Sequence, residues 1–212
     1  MLPRSTSTLS SAPTALAPAL WLVRHGESTW NTLGLAQGHR DDAELTARGA
    51  EQAAAVAEQF RSLSVSAVYS SDLRRALQTV AVFAEVLGLP VIRDARLRER
   101  SLGVIEGTAL AQASPTVTGI GGGMVLDSDT SPYGGESVRD LYRRAAAFCD
   151  DLARRPAERA GDVIVVAHGG TLRVLRAHLS GIPVERMRWE PVENARVLRM
   201  DGVSTNARGG TE

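Results

Sequence analysis

Two stretches of the chain place a histidine and then a glycine directly after an apolar run. The first run, Leu20–Val23, leads into Arg24 and His25, and the second, Val163–Ala167, leads into His168. Short apolar runs bounded by turn residues predict buried strands. Because ligands of α/β sheets bind at the carboxyl edge of the strands, a cation beside an imidazole at that edge suits an anion. The pattern therefore predicts one anion site with two imidazoles.

Phosphoryl transfer is the chemistry that these residue types suit, since it needs a nucleophile, positive charge and a proton donor. His25 is the candidate nucleophile, and attack by its neutral ring on phosphorus gives a phosphohistidine. Arg24 would hold phosphoryl oxygens as a guanidinium fork, and His168 would add a hydrogen bond. Arg74 and Arg75 stand near the start of a predicted helix. We expect Arg74 to be the one that faces the site.

The composition of the 212-residue chain fits one domain with its own core. Lys+Arg and Asp+Glu both number 24, and this balance argues against nucleic acid or a membrane surface as a partner. Cys149 is the single cysteine, so an intramolecular disulfide is excluded. Its place on an apolar helical face predicts a buried packing residue rather than a nucleophile.

Both ends of the chain lack the periodicity of a packed element. Residues 1–18 are rich in Ser, Thr, Ala and Pro, and their apolar stretches are too broken for a signal peptide, which favours a disordered leader. No apolar run reaches the length of a transmembrane helix, and we expect a cytoplasmic protein. Residues 201–212 predict a flexible tail, which leaves 19–200 as the domain.

Apolar periodicity alternates between strands and helices along this domain. Such alternation predicts an α/β fold, a three-layer α/β/α sandwich with a mostly parallel central sheet. The predicted strands are 19–23, 67–70, 91–93, 163–167 and 196–200, and the predicted helices are 46–62, 72–87, 137–152 and 171–179. Asp72 and Ser137 are the predicted N-caps, and Gly88 is the predicted helix end. Residues 101–135 lack periodicity, and the glycines at 119 and 121–123 fit a surface loop better than a phosphate-binding loop.

The segment from Arg24 to Asn31 resembles the signature of the histidine phosphatase superfamily, also called the phosphoglycerate mutase-like family. It reads Arg-His-Gly-Glu, with Trp-Asn after two further residues. Matching segments follow in the family's order at 37–49, 70–79 and 167–170. The resemblance covers about residues 19–200, which makes it far more specific than one short motif. It implies the phosphoglycerate mutase-like fold and gives the same phosphoryl-transfer roles to the two arginines and two histidines.

The resemblance also supplies a proton donor. By its match to the family's glutamate pattern, Glu99 protonates the leaving oxygen and afterwards activates water. A salt bridge to Arg98 or Arg100 is the structural alternative for this carboxylate, and Glu106 is its rival. Relatives often carry an aromatic residue where this chain has Ile105, which alters the expected pocket wall.

Further pocket residues follow from the same resemblance. Asn31, Gln37 and Gly38 match positions that line the phosphate pocket in relatives. The backbone N–H of Gly169 is expected to point into that pocket. Asn31 fits a turn equally well. The segment 101–135 corresponds to part of a lid over the site.

The loop residues His39, Asp41, Asp42 and Glu44 raise the question of a metal site. Their dense, turn-like spacing fits no ligand pattern, so a solvated loop is the better interpretation. The expected chemistry uses no metal and no cofactor, because the arginine pair and His168 take the place of a divalent cation.

Three functions are open to such a chain: a phosphomonoesterase acting on a small phosphorylated metabolite, a phosphoglycerate mutase-type phosphoryl transferase, or a non-catalytic phosphate-binding module. A mutase needs a substantial lid to keep water from its phosphoenzyme, and only 69 positions (168 minus 99) separate Glu99 from His168. Retention of His25 and a candidate acid disfavours the binding module. Metal-independent hydrolysis of the histidine acid phosphatase type is therefore predicted. The pattern does not identify the substrate, and a homodimer is possible.

Overall fold

The computed structural model describes residues 18–112, 128–155 and 160–201. The predicted leader up to residue 17, the glycines of the predicted surface loop and the predicted tail from residue 202 lie outside the described residues. Within the described ranges, no helix is long and apolar enough to cross a membrane.

The middle layer of the fold is one five-stranded sheet. Its strands are β1 Leu20–Arg24, β2 Val65–Ser70, β3 Val91–Arg93, β4 Asp162–Ala167 and β5 Val197–Met200. Their order across the sheet is β3-β2-β4-β1-β5, and β5 runs antiparallel at the edge beside β1. The five predicted strands are confirmed with small shifts at their ends, and so is the mostly parallel sheet.

Helices cover both faces of the sheet. Their bounds are α1 Thr29–Thr32, α2 Ala47–Glu58, α3 Arg74–Leu87, α4 Val138–Ala153 and α5 Gly169–Leu179. The last four match predicted helices, although α2 ends earlier than expected. The single turn α1 is too short to show apolar periodicity, and a capping box between Ser28 and Asn31 starts it.

Alternate residues of β4 face two separate apolar cores. Val163, Val165 and Ala167 pack with buried residues of α4 and α5, whereas Ile164 and Val166 pack with those of α2 and α3. The sheet is therefore the middle of three layers, as predicted. Burial on both faces also explains why this strand reads as a continuous apolar run.

The cysteine of this chain lies on α4 and belongs to the apolar core between that helix and the sheet. Cys149 is buried, and burial raises the pKa of its thiol to about 12. A thiol that stays protonated is a poor nucleophile. The neighbouring Phe148 meets the Tyr69 ring edge-on, with 5.3 Å between the centroids. Cys149 is thus a packing residue, as predicted.

Local capping interactions fix where the helices begin and end. Ser137 caps α4 with a capping box, and Gly88 ends α3 in the left-handed conformation, both as predicted. The predicted N-cap Asp72 is wrong. Its carboxylate binds the Arg98 guanidinium at 2.7 and 2.6 Å and is therefore not available to the helix. The first N–H of α3 donates to the Asp41 side chain instead.

The pairing of β1 with β4 positions the candidate site. The two strands run parallel and side by side, with Arg24 opposite Ala167. The ladder continues one step further, since the His25 N–H donates to the Ala167 carbonyl at 3.0 Å. His25 and His168 therefore leave the sheet at the same carboxyl edge.

Candidate active site

Two buried imidazoles meet at the carboxyl edge of the sheet. His25 follows β1 and His168 follows β4, and their ring centroids lie 5.2 Å apart with an angle of 57° between the planes. His25 is 2% exposed and His168 is fully buried. The structure thus brings together the two histidines that the strand-end pattern assigns to one site.

Hydrogen bonding determines which nitrogen of His25 carries the proton. Its Nδ1 lies 2.7 Å from the Gly26 carbonyl oxygen. Because a carbonyl oxygen only accepts hydrogen bonds, we assign the proton to Nδ1, which leaves a lone pair on Nε2. A neutral imidazole in this tautomer presents Nε2 as a nucleophile.

The hydroxyl of Ser71 orients His168. Ser71 follows β2, and its Oγ lies 2.8 Å from Nε2 of His168 and accepts from the Leu73 N–H at 3.3 Å. With the hydroxyl donating to Nε2, the proton of the neutral ring is on Nδ1. That Nδ1 is buried and has no hydrogen-bond partner among the described residues. A buried donor without an acceptor beside His25 is suited to a ligand oxygen.

Two guanidinium groups supply positive charge beside the imidazoles. Arg75 is fully buried and donates to the carbonyls of Gly38 and Arg40, both at 2.9 Å. Arg24 is partly buried and donates through a terminal nitrogen to the Val192 carbonyl. In the part of the chain that the structure describes, the buried Nε of each has no hydrogen-bond partner. Each arginine therefore keeps a donor that an anion can satisfy.

The α3 arginine that faces the site is Arg75, so the choice of Arg74 is wrong. Arg74 turns to solvent, with about half of its side chain exposed, and pairs with Glu44. Arg75 lies on the buried face of α3, where Thr79 donates to its carbonyl at 2.7 Å and accepts from the Gly26 N–H at 3.1 Å. Successive helical residues point about 100° apart, so neighbouring arginines face different ways. Thr79 lies one turn beyond Arg75 on the same buried face.

Glu99 lies beside the start of α5. One carboxylate oxygen accepts from the Gly170 N–H at 2.9 Å, and the other accepts from the Arg100 N–H at 2.8 Å. The carboxylate also raises the pKa values of both site arginines, which burial lowers more strongly. Arg98, one alternative partner, is bound to Asp72 at 2.6 Å instead. The structure therefore places Glu99 beside the histidines and arginines.

Glu106 supports the backbone rather than the site. Its Oε1 accepts from the N–H groups of His39 and Leu102 at 3.0 and 2.8 Å, and from the Ser101 hydroxyl at 3.2 Å. A Cβ on Gly38 would lie 2.0 Å from the same oxygen, so glycine is required there. A carboxylate occupied in this way ties two loops together and is a poor candidate for the proton donor.

Arg144 on α4, which the sequence pattern does not single out, holds the backbone of the Glu99 segment. It donates to the carbonyls of Arg96, Arg98 and Glu99, each at 2.7 Å. Two bonds of 2.8 Å to Glu136 balance its charge. Because one rigid guanidinium binds three carbonyls, it fixes the position from which the Glu99 side chain extends.

Asn31 and Gln37 support the turn that follows β1. The Asn31 side-chain oxygen accepts from the Ser28 N–H at 3.1 Å and from the Asn194 amide at 3.0 Å. Asn194, which sequence reasoning missed, also donates to the His25 carbonyl at 3.2 Å. Gln37 accepts from the Ser28 hydroxyl at 3.2 Å. These contacts match the interpretation of Asn31 as a turn residue. They also hold the backbone of the candidate nucleophile, His25.

Gly38 and Gly169 allow charged groups to approach closely. Gly38 has a φ of 49°, and its carbonyl accepts from Arg75 at 2.9 Å. A Cβ on Gly169, the first residue of α5, would lie 3.4 Å from Arg173 and 3.7 Å from Arg24. Both glycines therefore lie against the arginines, and the start of α5 adds backbone N–H groups that favour an anion.

Burial and positive charge keep both histidines neutral. Desolvation lowers the pKa of His25 well below 6.5, and Arg24 and Arg75 lower it further. Desolvation likewise lowers the pKa of His168 well below 6.5, followed by the effect of Arg75. The pKa of Arg75 itself falls to about 10 through desolvation, so this group stays charged near neutral pH. The site thus combines a neutral imidazole that can act as a nucleophile with cations that can attract an anion.

Two acidic residues of the loop 39–44 have basic partners of their own. Asp42 pairs with Arg40 at 2.7 Å, and Glu44 pairs with Arg74. Over residues 18–112, 128–155 and 160–201, no group of His, Cys, Asp and Glu side chains is arranged to hold a metal ion. Asp41, Asp42 and Glu44 are exposed, so the loop is a charged segment that faces solvent.

The fold and the site together define a class of protein. A mostly parallel sheet presents two neutral histidines, two arginines and a glutamate at its carboxyl edge, an arrangement suited to phosphoryl transfer through histidine. The profile of the histidine phosphatase superfamily (branch 1) matches residues 20–207. The chain belongs to this superfamily, as its signature segments predict.

Similar proteins carry the names of a mutase and of phosphatases. "Probable phosphoglycerate mutase GpmB" of Yersinia enterocolitica is 34% identical over 190 residues, which cover 86% of this chain and 84% of that protein. A mycobacterial glucosyl-3-phosphoglycerate phosphatase, solved with VO3, has a TM-score of 0.76 at 33% identity and covers 86% and 90% of the two chains. Phosphoserine phosphatase of Entamoeba histolytica, solved with 3-phosphoglyceric acid, has a TM-score of 0.70 at 25% identity, with coverage of 86% and 89%.

The charge states of the two histidines predict an unusual titration. An ordinary imidazole is half protonated at about pH 6.5, but His25 and His168 should stay neutral well below that pH because their pKa values are lowered. Long-range proton–nitrogen NMR spectra should show one protonated and one bare nitrogen in each ring at about pH 6. His25→Gln and His168→Gln assign the signals. Protonation of either ring near its ordinary pKa would contradict this account.

Arg74→Gln and Arg75→Gln form a matched pair on adjacent positions. Hydrogen bonds to charged groups contribute about 1.5–3 kcal/mol, so Arg75→Gln should weaken inorganic phosphate binding by about 10- to 100-fold. Arg74→Gln should leave phosphate affinity unchanged, because this side chain points to solvent. Calorimetric titration with phosphate checks both, with circular dichroism as the folding control. Loss of affinity confined to the Arg74 variant would reverse the assignment.

Proposed function

We propose that this protein is a metal-independent phosphomonoesterase of the histidine acid phosphatase type, which hydrolyses a small phosphorylated metabolite through a phosphohistidine. The observation that carries the proposal is the state of His25. Its ring is buried, its Nδ1 is held 2.7 Å from the Gly26 carbonyl, and its Nε2 is left as the nucleophile. Arg24 and Arg75 supply positive charge for the phosphoryl oxygens.

In the first step, the Nε2 lone pair of His25 attacks phosphorus while the bond to the ester oxygen breaks. Glu99 acts as the general acid, and its carboxyl proton passes to the departing oxygen, which leaves as an alcohol. The new P–N bond places positive charge on the ring, and the hydrogen bond from Nδ1 to Gly26 stabilises it. The free N–H of His168 binds a phosphoryl oxygen as charge develops.

In the second step, water attacks phosphorus and the P–N bond breaks. Inorganic phosphate leaves, and the His25 ring returns to its neutral state. Glu99, now a carboxylate, accepts the proton of the attacking water. Because the backbone of Glu99 is fixed by Arg144 at 2.7 Å, the same side chain acts from one place in both steps.

Two observations favour hydrolysis over transfer to a second substrate. The separation of 69 positions from Glu99 to His168 is short for a lid that excludes water from a phosphoenzyme. Two similar solved proteins are named as phosphatases. A mutase is the second candidate, because a protein of that name is 34% identical to this chain.

Phosphate release from a panel of phosphomonoesters in EDTA tests the proposal. Wild type should release phosphate, and His25→Ala should lose at least about 10³-fold in kcat/KM because no nucleophile remains. The variant should still bind inorganic phosphate through Arg24 and Arg75, and Arg74→Gln serves as the active surface control.

Three outcomes would overturn parts of this proposal. Undiminished turnover by His25→Ala would remove the nucleophile assignment. Release that requires an added divalent metal would remove metal independence. Transfer of the phosphoryl group to an added alcohol, without release to water, would identify the mutase instead.

Glu99→Gln separates the proton donor from the other groups of the site. The amide has no proton of suitable acidity, so the burst of alcohol from alkyl esters should slow by about 10²–10⁴-fold. Activated aryl esters, whose oxygens leave without protonation, should show a much smaller loss in the same burst. Glu106→Gln is the matched control and should affect both ester classes equally. Equal losses in Glu99→Gln would assign the acid role elsewhere.

A further inference from the structure

Arg173 lies one turn into α5, beside the candidate acid. Its Nε donates to the backbone carbonyl of Glu190. A terminal nitrogen lies 3.4 Å from the position that a Cβ on Gly169 would occupy, and Glu99 binds the N–H of the next residue, Gly170, at 2.9 Å. The guanidinium therefore borders the site, although the proposed reaction gives it no part.

Trp189 forms a wall behind this guanidinium. The Cζ atom of Arg173 lies 4.7 Å from the Trp189 ring centroid, and that of Arg100 lies 5.5 Å from it. The ring is 6% exposed and would lie 3.4 Å from a Cβ on Gly170. Stacking on an aromatic face orients a guanidinium and leaves its N–H edge to bind a ligand.

The described residues supply little negative charge to this group of arginines. Glu99 is the carboxylate that most affects Arg24, Arg75 and Arg173 alike. Desolvation, and to a lesser extent the neighbouring arginines, lower the pKa of Arg173 to about 10, so the group stays charged near neutral pH. Three cations for which Glu99 is the main carboxylate in a partly dry site are stabilised when an anion joins them.

A bound phosphoryl group accounts for two of these cations, since Arg24 and Arg75 lie beside His25. We propose that Arg173 binds a second anionic group of the same substrate, so that the preferred ester carries a carboxylate or a further phosphate. The inference rests on the proposed function and narrows its substrate class. A guanidinium binds either anion through paired N–H donors.

Matched ester pairs test this proposal. Phosphoglycolate and 3-phosphooxypropanoate are compared with hydroxyalkyl phosphates of the same length, so that a carboxylate is the only difference. Fructose 1,6-bisphosphate is compared with fructose 6-phosphate for a second phosphate. In at least one pair, wild type should favour the ester with the added anion by about 10- to 100-fold in kcat/KM. The favoured pair tells which anion the subsite accepts.

Arg173→Gln should remove that preference while kcat/KM for the hydroxyalkyl phosphates changes by less than about threefold. Arg176→Gln is the matched control, because this residue lies on the same helix and pairs with the Glu190 carboxylate at 3.2 Å. Should Arg173→Gln fail to fold, Arg173→Lys keeps the charge without the planar fork and should retain only part of the preference.

Binding measurements separate failure of this inference from failure of the proposed function. In a His25→Ala background, which is not expected to hydrolyse the ligand, Arg173→Gln should lower the calorimetric affinity for at least one of the esters with an added anion, whereas affinity for inorganic phosphate should not fall. A wild type without preference in any pair would overturn the proposal. So would equal losses for both members of a pair, since Arg173 would then only support Trp189 and the Glu190 backbone.

Discussion

The pairing of β1 with β4 determines where the groups of the candidate site lie. Arg24 stands opposite Ala167, and the His25 N–H extends the ladder to the Ala167 carbonyl at 3.0 Å. A shift of one residue would send the side chains to the opposite face and separate the imidazoles. Ser71 reaches His168 because β2 pairs with the other side of β4. Parallel pairing thus brings the proposed nucleophile His25, the second histidine His168 and the Ser71 hydroxyl to one edge of the sheet.

The charges and free donors at this edge of the sheet are suited to binding an anion. Buried cations and unpartnered donors destabilise a folded chain, yet the Nε atoms of Arg24 and Arg75 and the Nδ1 of His168 lack hydrogen-bond partners within the described residues. An anion that satisfies these donors stabilises the folded state. Burial, and after it the same cations, lower the pKa of both imidazoles and keep them neutral, the state that the proposed attack by His25 requires. One arrangement therefore serves binding and nucleophilicity together.

Features with a local signal were predictable from the sequence, and features set by tertiary contact were not. The apolar runs of β1 and β4 predicted neighbouring histidines, because strand ends of a parallel sheet share an edge. The choice between Arg74 and Arg75 depended on which side of the helix faces the site. A difference of one position along a helix turns a side chain by about 100°. Arg144 and Asn194 carry no local signal, since they reach Glu99 and His25 across 45 and 169 positions. Asp72 failed as a cap because a distant arginine binds it.

Trapping of the phosphohistidine is the first experiment to perform on this protein. Wild-type protein in EDTA is mixed with an ester that carries a radiolabelled phosphoryl group, quenched in base within milliseconds and digested. Label is expected on the peptide that contains His25, and it should be labile in acid, stable in base, and lost at the rate of phosphate release. Phosphate release without labelled protein, or label on another residue such as His168, would contradict the proposed phosphohistidine on His25.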